Sequence, residues 1–411
     1  MAETEFDLFT LPNGIRCIHR RSSGPVAHVA LTIGAGTRDE AEEQHGVAHL
    51  VEHLMFKGTA RRSAYRVNSL LENSGGELNA FTTKEETVIH ATLLRSELTK
   101  GVDLLADMAF RSRFDSRELD KEREVIIDEI NSYRDSPAEL IFDEFEELLF
   151  AGSPLGRNIL GTPRNLRRAT REQLVDYVRG HYRPEEIVFS ASAQMSHRRF
   201  RAVCERYLGG IPTSDRPKTG GRTAPERQPL FQLEKHKKTY QTHCLIGGYG
   251  YDSQDERRVL LAFLIHLLGG PFSVSRLNMQ LRERYGLTYN VEAGYVPYGD
   301  SGVYTIYLGC DKDNLARSIG LVQSELRKLR EVKLTTAQLA RAKKQFIGQL
   351  ILGSENVENL MLGIAKSVLV YNTFDSTAEI AAKIEAITAG ELQETAREIF
   401  AEENQYSLIY N

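Results

Sequence analysis

The strongest constraint on folding is that the chain repeats itself. In the first half VAHVALTIGAGTRDE leads into HGVAHLVEHLMF, and in the second YQTHCLIGGYGYDSQDE leads into RRVLLAFLIHLLGG. Each is a β-like run, a Gly-rich turn and then an amphipathic helix, so a duplicated α/β domain is expected. Between the halves, breakers and polar residues concentrate from Gly209-Gly210-Ile211-Pro212 through Pro217, Gly220-Gly221, Pro225 and Pro229. Such a stretch reads as a linker. The expected division is residues 1–212, a linker over 213–229, and residues 230–411. A length of 411 residues agrees, because one hydrophobic core seldom serves so long a chain.

Charge and hydropathy exclude several classes. The net charge is −4, and the basic residues are scattered among acids, so there is no basic stripe to read nucleic acid. The start MAETEFDLFTLPNG carries acids where a signal peptide has a basic region, and the expected location is cytoplasmic. No run approaches the roughly 18 apolar residues of a membrane helix. Cys17, Cys204, Cys244 and Cys310 lie far apart without a C-x-x-C pair, the usage of buried thiols in a reducing compartment. That pattern takes them out of consideration as metal ligands.

The two copies differ at their polar positions. With Gly34 set opposite Gly247, His49 falls on Ala262, Glu52 on Ile265 and His53 on His266. RELDKEREVIIDEI, from Arg117, pairs with AQLARAKKQFIGQL, from Ala337, so Glu122 meets Ala342 and Glu129 meets Gln349. A structural need for these groups would apply to both copies. Their restriction to one points to chemistry done once per chain.

On a helix His49 and His53 are i and i+4, so both imidazoles can bind one cation while Glu52 projects from the same side. Two buried imidazoles and a carboxylate without a counter-charge would cost several kcal/mol of desolvation, which a dication offsets. A catalytic zinc takes about three protein ligands and keeps one position open, so one more donor must come from elsewhere. On the stretch from Ser116 to Ser132, Glu122, Ile126 and Glu129 share one helical face. Glu129 is the expected third ligand, since Asp128 sits about 100° around the helix among solvated positions. Glu122, two turns earlier, either orients a histidine ring or Glu129, or forms a surface ion pair with Lys121 or Arg123. A zinc site with Glu52 as general base would hydrolyse an amide.

H-x-x-E-H is the inverted zincin motif. Its setting here, HGVAHLVEHLMFKGT followed by GGELNAFT, resembles the pitrilysin/insulinase family of metallopeptidases over the whole chain. The resemblance implies two homologous domains, each a mainly antiparallel sheet packed with helices. It also implies one zinc per chain and peptide substrates. Family members carry the third ligand about 76 residues beyond the second histidine in a pattern like E-x-x-V-I-x-x-E-I; here EREVIIDEI brings Glu129 to that place and Glu122 to that of the auxiliary glutamate. GGPFSVSRLNMQLRERYGLTYNVEAGY is similar to the segment whose Arg and Tyr engage the substrate carbonyl, which implies Arg282 and Tyr289. The tract from Gly75 to Thr83 resembles the edge strand on which relatives dock a peptide main chain to main chain, with Asn79, Ala80 and Phe81 at the contacting positions. Ser153 before Pro154, where many relatives have His, and Ile89, where an aromatic is frequent, are departures that bear on substrate preference.

His45, His90, His243 and His266 match no ligand role in that pattern. Half-length relatives pair to enclose a chamber, and both the zinc motif and the Arg/Tyr pair stand in this one chain, so a homodimer would be self-sufficient. The alternative is a non-catalytic scaffold or partner subunit, as in relatives with eroded motifs; the matched positions here are intact.

Overall fold

The structure, a computed structural model, describes residues 5–213 and 222–411; residues 214–221 of the expected linker lie outside the described residues. The chain forms two compact units. The first comprises Met1–Asn131, Arg157–Gly221 and Gly353–Phe374, the second Ser132–Gly156, Arg222–Leu352 and Asp375–Asn411.

In the first unit β1 (Phe6–Thr10), β2 (Arg16–Arg21), β3 (Val26–Ile33), β4 (Glu77–Thr82), β5 (Thr87–Leu94) and β6 (Ile187–Ala193) form one sheet in the order β1-β2-β6-β3-β5-β4. Its neighbours are antiparallel except β2 and β6. Every residue of β6 is buried, as a central strand covered on both faces requires. One face packs beneath α1 (Val47–Met55), α2 (Ala64–Glu72) and α3 (Leu98–Arg111), joining Leu31, Ala91, Leu50, Leu71 and Leu105 in a single core. The other face is covered by the helix Val357–Tyr371, which buries Met361, Ile364 and Val368 against Ile18 and Val188.

In the second unit β7 (Gln232–Lys235), β8 (Thr242–Tyr249), β9 (Thr288–Pro297), β10 (Gly302–Cys310) and β11 (Tyr406–Tyr410) are ordered β7-β11-β8-β10-β9, with β7 and β11 parallel and the rest antiparallel. Strand for strand this is the first sheet without β1, in the same senses. The duplication read from the sequence is therefore present in the topology, in two mainly antiparallel sheets packed with helices. The helices Arg258–Gly269 and Leu315–Glu331 cover one face through Leu264, Leu268, Val322 and Leu326.

The remaining face of the second sheet is covered from the other half of the chain. After α4 (Ser116–Arg134) comes α5 (Pro137–Leu149), started by proline in its first turn, whose stripe Ile141, Phe145 and Leu149 packs on Leu245, Tyr307 and Leu408. A Cβ on Gly247 in mid-β8 would stand 3.0 Å from the Phe145 ring and 2.4 Å from the Tyr304 carbonyl oxygen, so glycine there lets the helix approach. In the second half, the helix after Thr336–Ser354 is Val357–Tyr371, begun by an Asn356 side-chain cap and ended by left-handed Asn372. The same helix of each repeat thus belongs to the unit built by the other repeat.

Among the described residues no helix is long and apolar enough to cross a membrane. All four cysteines are free and buried.

The exchange has an energetic consequence. Met361, Ile364 and Val368 at about 1.5–3 kcal/mol each contribute on the order of 5–9 kcal/mol, comparable with the whole net stability of a typical domain, about 5–15 kcal/mol. Residues 1–213 expressed alone should therefore give no cooperative thermal transition, and co-expression with residues 222–411 should yield a folded complex. Cooperative unfolding of either fragment by itself would contradict the exchange.

Candidate metal centre

The nine-residue helix α1 is almost wholly enclosed: Val47 to Glu52, Leu54 and Met55 are buried, and only His53 is partly open. Gly46 precedes it at φ 101°, without a capping side chain. A buried carboxylate does that work from upstream. Glu40 accepts hydrogen bonds from the Gly46 amide at 2.9 Å and the Ala48 amide at 2.6 Å, placing an acid at the positive end of the helix. Burial pushes the Glu40 carboxyl up to about 8, and the two amides pull against that. Gly161 closes on the same turn, where a Cβ would come within 2.5 Å of the Gly46 Cα.

Two turns of α1 present both imidazoles, with ring centroids 4.6 Å apart and planes inclined at 72°. Glu129 arrives from α4, whose inner face buries Leu119, Glu122, Ile126 and Ile130. The next-door Asp128 points to solvent while Glu129 is half-buried. His53 Nε2 stands 3.9 Å from Glu129 Oε2, and one donor atom from each of His49, His53 and Glu129 lies within 4.8 Å of the others. Among the described residues this is the one such group of His, Cys, Asp and Glu side chains. Ligands about 2.0–2.2 Å from a shared zinc stand roughly 3.4 Å apart in a tetrahedron, so small side-chain movements suffice.

The polar groups of this centre are short of partners. His49 Nδ1 and Glu52 Oε2 are buried with no hydrogen-bond partner, which is the orphaning that a bound cation and its water relieve. Burial, with His53 adding to it, holds the His49 imidazolium down to about 3, so the ring is neutral, the form that binds metal. Burial also raises the Glu52 carboxyl above its ordinary range, with Thr82 at the end of β4 the chief opposing influence. Two nitrogens and one carboxylate without a thiolate are a zinc-type set.

Glu122 is 5% exposed. Its Oε2 lies 3.1 Å from His53 Nδ1 and its Oε1 2.8 Å from Lys57 Nζ. The surface alternative falls away, because Lys121 pairs with Glu118 and Arg123 with Asp120. The sequence reading did not single out Lys57, Glu40 or Thr82. For Lys57 a signal existed: it stands four residues after His53, the spacing of side chains sharing a helical face.

In β4, Ala80 turns toward the core with Leu78, while Asn79 and Phe81 project exposed on the opposite face, Phe81 5.9 Å from the His90 ring. Thr82, the next residue, brings this strand to Glu52. Arg282 and Tyr289 belong to the second unit. Arg282 lies on the π-helical turn Asn278–Arg284, 4.0 Å from the Glu283 carboxylate, and Tyr289 is the second residue of β9 and 74% exposed. His45 meets the Asn158 carbonyl oxygen, His90 pairs with Glu358, His243 with the Tyr307 hydroxyl, and His266 packs on Phe346. In the second repeat Ile265 and Ala342 sit in apolar core where Glu52 and Glu122 stand in the first.

Comparison with known proteins agrees with this asymmetry. Residues 16–163 match the family described as insulinase (peptidase family M16), and residues 168–346 match the peptidase M16 inactive domain. A Bacillus subtilis protein named uncharacterized zinc protease YmxG is 32% identical over 406 residues, spanning 98% of this chain and 97% of its own length. A Streptomyces coelicolor protein, also named as an uncharacterized zinc protease, is 33% identical over 411 residues, with 97% and 88% covered. The crystal structure of a protease from Helicobacter pylori superposes with a TM-score of 0.92 at 19% identity over 99% of both chains, which speaks for the fold.

Elemental analysis of purified protein should find about one zinc per chain, lost in His49→Ala and Glu129→Gln and kept in Asp128→Asn. Stoichiometric zinc in His49→Ala, or its loss in Asp128→Asn, would overturn the donor set.

Proposed function

The chain belongs to peptidase family M16, and from that premise we propose that it is a zinc-dependent endopeptidase of peptides and unfolded segments, with one zinc per chain, working as a homodimer. The observation that carries the reading is the convergence of His49, His53 and Glu129 beside Glu52, whose Oε2 is buried and unpartnered. The zinc-protease names of the Bacillus and Streptomyces relatives agree with it.

His49, His53 and Glu129 would hold the ion. When bound, zinc supplies a Lewis acid and lowers the pKa of water toward about 7. Glu52, close by but outside the ligand set, takes the proton of the attacking water as its oxygen bonds to the amide carbon, and delivers a proton to the amine as the C–N bond breaks. Water is consumed and two peptides leave. Enclosure of Glu52 keeps its carboxylate from being spent on solvent.

β4 ends its sheet, with β5 on one side and no strand of the described residues on the other. An extended peptide would pair with that free edge main chain to main chain, at Asn79, Ala80 and Phe81, beside Glu52. Backbone pairing reads few side chains, which fits substrates defined by being unfolded. Arg282 and Tyr289, exposed in the second unit, would engage the substrate carbonyl at the partner's zinc, so that each site of the homodimer is composite.

A mixing experiment tests base and dimer together. Glu52→Gln should keep zinc and lose roughly 10²–10⁴-fold in peptide hydrolysis, since the base is gone. Tyr289→Phe should also be impaired. Mixed under subunit exchange, the two should recover roughly a quarter of wild-type activity, because half the dimers are mixed and one of their two sites is free of lesions. Wild-type turnover by Glu52→Gln would refute the base. Verified exchange without recovery would reject the composite homodimer.

A further inference from the structure

We propose that Lys57 is a positioning residue of the metal centre: its ammonium pins the Glu122 carboxylate, which in turn fixes the ring of His53. The inference rests on the reading of His49, His53 and Glu129 as zinc ligands.

The geometry makes a short chain. Glu122 spends one oxygen on Lys57 Nζ at 2.8 Å and the other on His53 Nδ1 at 3.1 Å. With both oxygens engaged and 5% of the residue exposed, the carboxylate has little room to rotate. A hydrogen on His53 Nδ1 donated to that oxygen leaves Nε2 with its lone pair, and Nε2 is the atom 3.9 Å from Glu129 Oε2. Without Lys57 the carboxylate would keep one buried oxygen unsatisfied, and its hold on the imidazole would slacken.

Lys57 is itself held in place. Its amide donates to the Leu54 carbonyl oxygen at 3.1 Å, closing the end of α1. Gly58 follows at φ 113°, a conformation that strains any side chain, and a Cβ there would meet the Arg113 guanidinium at 2.9 Å. The Thr59 hydroxyl then donates at 2.6 Å to Asp107, which is wholly buried and also pairs with Arg62. The turn after the zinc helix is thus anchored on α3, and the anchoring aims Lys57 at Glu122. The pair Lys121–Glu118 on α4 is by contrast a largely exposed contact between residues three apart.

A plain stabilising ion pair and a positioning pair differ in what they couple to. The test is a double-mutant cycle on the full chain, with zinc affinity measured by competition against a chromophoric chelator and the zinc-free melting temperature recorded alongside. Lys57→Met and Glu122→Gln should each weaken zinc binding roughly 10–100-fold, and the double variant should be no weaker than about the worse single one. Should Lys57→Met fail to fold, Lys57→Gln carries the same cycle. Wild-type zinc affinity in the Lys57 variant with only a lowered melting temperature would overturn the proposal, as would losses that multiply in the double variant. If the wild-type chain bound no zinc at all, the zinc-peptidase reading would fall together with this inference; normal zinc binding by wild type and variant alike would remove this inference alone.

Discussion

Three polar side chains on one short, enclosed helix are the constraint on which the rest of the first unit depends. α1 must bury Glu52 and His49, and half-bury His53, inside a sheet-and-helix core that supplies few partners for them. Leaving such groups unpaired costs several kcal/mol, a sizeable part of a domain's net stability. The surroundings read as answers to that cost. Glu40 accepts from the Gly46 and Ala48 amides at the start of the helix, Glu122 takes one nitrogen of His53, and Glu129 completes a donor set that a dication would satisfy.

The second unit shows the same architecture without that cost. Its sheet repeats the strand order and senses of the first, yet the helix Arg258–Gly269 carries Ala262 and Ile265 at the positions of His49 and Glu52, and the helix Thr336–Ser354 carries Ala342 and Gln349 at those of Glu122 and Glu129. Ile265 and Ala342 are buried among apolar neighbours. The fold therefore does not need the polar groups, and their presence in one copy belongs to chemistry. The exchange of α5 for Val357–Tyr371 adds a second dependence, because each sheet finishes one face with a helix from the other half of the chain.

Much of this was legible before any coordinates. Two periodicities separated by Gly-rich turns announced the duplication, and helical phase together with the family pattern separated Glu129 from Asp128, since a residue one step along a helix turns about 100° away. The i, i+4 spacing of His49 and His53 carried the site. Other features left no such trace. An apolar stripe such as Ile141, Phe145 and Leu149 announces a buried face without saying which sheet it covers, so the exchanged helices could not be read from pattern. Lys57 was only faintly marked, by its four-residue spacing from His53, because the group it acts on, Glu122, is far along the chain; Glu40, six residues before Gly46, looks in the chain like an ordinary surface charge.

In the proposed centre His49, His53 and Glu129 share one ion while Glu52 and Glu122 stand beside it. Anomalous diffraction at the zinc edge, on crystals of protein purified without added metal, tests it most directly. A single strong peak per chain is expected about 2.0–2.2 Å from one nitrogen of each histidine and one oxygen of Glu129, with Glu52 and Glu122 outside that distance. A peak coordinated by Asp128 or Glu122 in place of Glu129, or no peak near α1 in crystals that contain zinc elsewhere, would contradict it.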